Sequence, residues 1–201
     1  MASACQLLLP VVTPRTTVAL HVETTGLHPD TAAVVEVGAA WWDHGELCQW
    51  SSLTNPGTLY LTGPEADRAM ALAHLERGTI LRAPSSFTVA ASLGAQLRRV
   101  ARGGALELLA GHVAFARGFL ARDPWGGPLC LGGLDVVWRG AVSRAVAAHN
   151  RTLPPDCTPV RNLSLEAVCE ALLVPRTDTH RAAAEAMAVL RCWRALDELE
   201  L

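Results

Sequence analysis

Three β-favouring runs, joined by turns too short to hold a helix, constrain this 201-residue chain more than any other feature. Residues 17–23 (TVALHVE) are a short β-favouring run, and residues 34–42 form a nearly continuous apolar run. Asp43-His44-Gly45 is a hairpin-type turn leading into residues 47–53. Asn55-Pro56-Gly57 closes the unit. Connections this short pair neighbouring strands antiparallel, so the domain opens on a meander.

Beyond it the pattern changes. Residues 64–81 are alanine-rich with helical spacing. Residues 85–102 begin at Pro84-Ser85-Ser86, a helix start, and direct Phe87, Val89, Leu93 and Leu97 toward a core. A short buried strand at 106–110 and a helix at 115–121 follow. Gly126-Gly127-Pro128 and Gly132-Gly133 bracket another short strand at 129–131. Residues 134–149 read as helix, 153–159 as a proline-bearing loop, and 164–173 and 179–199 as two last helices. Strands first, then helices alternating with short buried strands, define an α/β fold. Its mixed sheet is antiparallel in the first three strands, gains further short parallel strands, and carries helices packed on it. The length fits one domain over residues 16–201, with 1–15 a leader or loosely packed arm.

Composition narrows the function only slightly. The formal charge is −2, with half the residues hydrophobic and 18% charged, as in an ordinary globule. No basic surplus marks a nucleic-acid binder, although a site that holds substrate through metal ions needs little net positive charge. All 17 basic residues are arginine, a chain-wide bias that says little about phosphate recognition. The six cysteines (Cys5, Cys48, Cys130, Cys157, Cys169, Cys192) form no CxxC pair and no zinc spacing. They read as reduced thiols in a cytoplasmic protein. The apolar residues 7–12 are too few to span a bilayer and follow no basic residue, so no membrane partner is expected.

Ordered motifs then carry a resemblance. Leu20-His21-Val22-Glu23-Thr24-Thr25-Gly26-Leu27 is followed by Val34-Val35-Glu36-Val37-Gly38-Ala39, Asn55-Pro56-Gly57 and Ala83-Pro84-Ser85-Ser86-Phe87. Gly111-His112-Val113-Ala114-Phe115-Ala116 and His180-Arg181-Ala182-Ala183-Ala184-Glu185-Ala186 complete the set. In order and spacing these resemble the DnaQ-like (DEDDh) 3′–5′ exonucleases, the family of the proofreading subunit of bacterial DNA polymerase III. The likeness runs over residues 17–196 and implies a ribonuclease H-like fold. It further implies hydrolysis of terminal phosphodiesters by two magnesium or manganese ions held by four carboxylates, with a histidine as general base.

Carried over residue by residue, the acid positions are His21, Glu23, Ala116 and Glu185, and the base position is His180. Thr24, Thr25, Gly26, Leu27, His112 and Phe115 fall where the family lines its nucleotide pocket. Two acids are absent, at His21 and Ala116, and one aspartate position holds the longer Glu185. Two dications about 4 Å apart repel by on the order of 15 kcal/mol at an effective dielectric of about 20. Two carboxylates leave much of that charge uncompensated, and a neutral histidine cannot bridge two hard cations.

Each residue also has a plain structural role open to it. His21 fits a satisfied strand histidine, and Glu185 fits an i,i+4 ion pair with Arg181. His180, behind the helix-capping pair Asp178-Thr179, fits an exposed first-turn position. Thr24 to Leu27 fit a tight turn, and His112 a structural place in its motif. A mixed set of His21, Glu23, His180 and Glu185 around a single zinc or manganese is the sharper alternative.

Three functions remain open. The first is a catalytically inactive domain retained to bind a nucleic-acid 3′ end (single-stranded DNA or RNA) or a protein partner. The second is an active 3′–5′ exonuclease working with one metal or an altered acid set. The third is a structural or assembly module with Trp41, Trp42 and Trp50 as a contact patch. Arg98, Arg99 and Arg102 fit phosphate contacts or an ordinary solvated helix end.

Overall fold

The computed structural model describes residues 15–129, 135–154, 159, 161, 164–176 and 180–199, with 128–129 and 197–199 described by backbone alone. The meander forms as the sequence directs: β1 (Arg15–Thr24), β2 (Val34–Asp43) and β3 (Glu46–Leu53). Asp43 pairs with Glu46 across the β2–β3 turn, so His44 and Gly45 alone close it. Both have positive φ, 49° and 87°, the backbone a two-residue hairpin needs.

A 3₁₀ turn (Thr58–Leu61) leads to α1 (Pro64–Leu72) and α2 (Arg77–Arg82). The single helix expected over 64–81 is therefore two. It breaks beyond Leu72, where His74 takes a left-handed φ of 52°. Next comes α3 (Ser86–Ala101), capped by Ser85, whose hydroxyl accepts the Thr88 N–H at 3.2 Å. Ser85→Ala is expected to lower unfolding stability by about 1 kcal/mol, read from urea denaturation.

Val89, Leu93 and Leu97 enter the core as expected, but Phe87 does not and is 69% exposed. Two residues from Val89 is about 200° around a helix, which turns Phe87 to the outer face.

β4 (Ala105–Ala110), α4 (Val113–Leu120) and the short α5 (Gly126–Leu129) follow, then β5 (Val136–Gly140) and α6 (Ala141–Thr152). Here the expectation fails twice. Leu129 ends a helical turn, and the rest of the strand expected at 129–131 lies outside the described residues. The last strand instead begins at Val136, inside the stretch read as helix. Its Val-Val-Trp run pairs parallel to β4, with Leu108 opposite Trp138. α7 (Leu165–Ala171), capped by Ser164, and α8 (Ala182–Leu199) complete the chain. Of the arm expected over 1–15, only Arg15 is described, and it opens β1.

The sheet order is β3-β2-β1-β4-β5. β1 is antiparallel to β2 and parallel to β4, giving the mixed sheet anticipated from sequence. Helices cover both faces, because each strand alternates its side chains between them. Val18, Leu20 and Val22 pack with Trp41, Leu106, Leu108 and α3 on one face. Ala19, Ala40 and Leu109 pack with α6, α7 and α8 on the other. The adjacent tryptophans divide between them. Trp41 is in the first core, and Trp42 packs on the second with the Arg194 guanidinium 4.4 Å from its ring. Trp50 is partly buried against the first core, so the three do not form a free patch. Among the described residues no helix is long and apolar enough to cross a membrane.

Candidate functional site

Small residues let α8 approach the sheet closely, and this places the site. Ala19 faces Ala40 and His21 faces Gly38 across the β1–β2 ladder. A Cβ added at Gly38 would stand 2.2 Å from the backbone carbon of Ala182. The first turn of α8 thus rests on the bare β2 backbone. His21 and Glu23 share the face that α8 covers, with His21 Nε2 3.4 Å from Glu23 Oε1. Both lie toward the carboxyl end of β1, on the side of the sheet where its parallel neighbour β4 also ends and where open α/β sheets bind ligands.

Glu23 stands directly opposite Glu36, a juxtaposition that like charges disfavour. The fold resolves it by sequestering Glu36, whose side chain is 2% exposed. The Arg181 Nε donates to Glu36 Oε1 at 3.3 Å and Oε2 at 3.1 Å, and Nη2 donates to Oε1 at 3.0 Å. The Ala182 N–H, at the start of α8, donates to Oε2 at 3.3 Å. A forked guanidinium and a helix N-terminus together supply the charge-assisted bonds that a buried carboxylate requires.

Glu185, buried one turn into α8, is held in the same way. The Arg176 Nη2 donates to its Oε1 at 2.5 Å, and the His180 N–H donates to the same oxygen at 3.1 Å. The i,i+4 pair with Arg181 does not account for Glu185. α8 begins at Ala182, so Arg181 lies outside the helix and turns to β2 instead. His180 is likewise not a first-turn residue. It precedes α8, is exposed, and holds a left-handed φ of 63°, a strained setting for a side chain with a Cβ. Asp178 and Thr179 lie outside the described residues.

The remaining positions divide. Ala116 is buried and brings no ligand atom. Phe115 packs against the first core, its ring 5.1 Å from that of Phe119. His112 is exposed and lines a cavity of about 400 Å³ with Trp138, Val142 and Ser143, at the ends of β4 and β5. In the turn after β1, the Thr24 hydroxyl donates to the Gly26 carbonyl at 2.6 Å, and the buried Thr25 hydroxyl accepts the Ala33 N–H at 3.0 Å. The Leu27 N–H donates to Glu65 Oε1 at 3.1 Å. A Cβ at Gly26 would fall 2.4 Å from that same oxygen, so a side chain there would displace the Glu65 carboxylate from the Leu27 N–H. The turn spends its hydroxyls on its own shape. What it presents outward is the Leu27 side chain, 70% exposed.

These residues do not fit a two-metal centre. His21 and Ala116 bring no carboxylate, and Glu185 is committed to Arg176. Nor do His21, Glu23, His180 and Glu185 gather as a mixed zinc or manganese set. Among the described residues no group of three or more His, Cys, Asp or Glu is placed to hold a metal. The positive charge beside Glu36 and Glu185 is arginine.

Sequence reasoning named Glu36 and Arg181 within motifs but gave Glu36 no role, and it missed Arg176. A glutamate inside an otherwise apolar strand was the available signal, since burying one alone is costly. Arg98, Arg99 and Arg102 end α3; Arg102 pairs with Asp43 at 2.7 Å.

The strand order and the two-sided helix cover define the ribonuclease H-like exonuclease fold. The solved structures that share it include E. coli exonuclease I in complex with a dA13 oligonucleotide, with TM-score 0.68 and 16% identity. That match covers 92% of this chain and 41% of the other. The zinc-bound form of the E. coli exonuclease I complex with single-stranded DNA gives TM-score 0.69 and 17% identity, covering 92% and 40%. Apo exonuclease I gives 0.66 and 16%, covering 92% and 44%. The chain spans about two fifths of the length of exonuclease I. No protein-family model and no curated protein matches it.

Proposed function

We propose that this chain is a non-cleaving exonuclease-fold domain that holds the 3′ end of single-stranded DNA or RNA in the cytoplasm. The observation that carries the reading is the Arg176–Glu185 pair. The fourth acid position of the resemblance is neutralised by a guanidinium from the same chain, and its carboxylate is satisfied without a metal. With His21 and Ala116 at two further acid positions, hydrolysis through paired metals has no cradle.

Binding has more support. The turn after β1 keeps the residues that the resemblance assigns to a nucleotide pocket and leaves Leu27 exposed, an apolar surface for a terminal base. Exonuclease I, a longer protein that shares this fold over about two fifths of its length, is known in complex with a dA13 oligonucleotide, which supports the reading.

The test is fluorescence anisotropy of end-labelled oligonucleotides in chelator. Binding that persists in EDTA supports the reading; binding that appears only with added magnesium or manganese opposes it. Leu27→Ala is expected to weaken binding about fivefold, from roughly 1 kcal/mol of lost apolar burial, at unchanged protein stability.

A further inference from the structure

We propose that Cys169 and Cys192 form an oxidant-sensitive dithiol that closes to a disulfide and clamps α7 onto α8. The two sulfurs are 3.5 Å apart, on different helices and both buried, at 2% and 0% exposure. A disulfide needs about 2.05 Å, so bonding asks the two sulfurs to close by about 1.5 Å. Cys48, the other free thiol among the described residues, packs against the opposite face of the sheet.

The surroundings distinguish the two thiols. The hydrogen bond with Cys192 holds the Cys169 thiol below its usual range, against the effect of burial, and the nearby Arg176 charge acts in the same direction. The same hydrogen bond, with burial, pushes Cys192 up. Attack by Cys169 with resolution by Cys192 is one order; the reverse order gives the same disulfide, because either sulfur can donate in their hydrogen bond.

The oxidant is a hydroperoxide. The Cys169 thiolate attacks one peroxide oxygen, and the O–O bond breaks. The departing oxygen leaves as an alcohol or water after taking up a proton, and Cys169 becomes a sulfenic acid. The Cys192 sulfur, giving up its proton, then attacks the Cys169 sulfur; the S–S bond forms and water leaves. Two thiols have supplied the two electrons that reduce one peroxide. Access comes through local opening of the seven-residue α7. A dithiol of this kind suits a reducing compartment, where disulfides are transient and sensory.

The clamp has a consequence for the site. The connection between α7 and α8 carries Arg176 and His180, and both donate to Glu185. Oxidation ties together the two helices that flank it. The inference is independent of whether the domain binds nucleic acid.

The experiment treats the reduced full chain with hydrogen peroxide, blocks remaining thiols with iodoacetamide and maps peptides by mass spectrometry. The expected product is a Cys169–Cys192-linked peptide that dithiothreitol reverses and that is lost in Cys169→Ser and in Cys192→Ser. The oxidised chain is expected to melt roughly 5–10 °C above the reduced one. Recovery of both residues as alkylated thiols, linkage of Cys169 mainly to another cysteine, or arrest at a sulfenic or sulfinic acid would overturn the proposal. The wild-type map alone decides this, whether or not the serine variants fold.

Discussion

Gly38→Val lowers the stability of this domain by about 4 kcal/mol or more, a fall of roughly 10 °C in melting temperature. A Cβ at that position lies 2.2 Å from the Ala182 carbonyl carbon, 2.3 Å from Ala183 N and 2.4 Å from Ala182 O. All three are backbone atoms, so no rotamer change relieves the overlap. α8 must lift off β2, and the Ala182 N–H then leaves the buried Glu36 carboxylate. Thermal unfolding followed by circular dichroism measures the loss. A variant melting within about 2 °C of wild type, less than 1 kcal/mol, would mean that α8 does not rest on β2 at this point.

Arg176→Ala has the second largest effect, about 3 kcal/mol, because it leaves a buried carboxylate with one backbone donor. The Glu185 side chain is 6% exposed and that of Arg176 17%, so water screens the pair little. Removing both partners, in Arg176→Met with Glu185→Met, is expected to cost much less than the sum of the single changes. Urea denaturation of the four proteins reads the coupling, expected at about 2 kcal/mol. A coupling below about 0.5 kcal/mol is what a solvent-exposed pair gives, and would count against arginine as the neutralising charge at Glu185.

Much of the fold was legible because its evidence is local. The meander follows from β-favouring runs and a two-residue turn, and the order of the motifs carried the rest. β5 was not legible. Val136 to Gly140 runs without a break into the amphipathic Ala141–Thr152, and the helical period of the longer segment absorbed the strand. Phe87 was misplaced because apolar character was read without its angle around α3.

At the site, the residues were legible but their partners were not. Arg181 and Glu36 are 145 positions apart, and only the docking of α8 on Gly38 brings them together. Arg176 reaches Glu185 from a connection between helices, where no periodicity marks it. A four-residue spacing instead favoured Arg181 for Glu185, an inference valid only inside a helix that in fact starts one residue later. The broken acid set was visible in the sequence. Arg176, as the arginine that neutralises its Glu185, was not.

The central claim is that the site binds without cutting. Its most direct test is prolonged incubation of labelled single-stranded DNA and RNA with the purified chain in magnesium or manganese, beside Glu23→Ala. The account predicts full-length oligonucleotide with both proteins, under conditions where anisotropy shows it bound. Progressive 3′ shortening by the wild type that Glu23→Ala abolishes would contradict it.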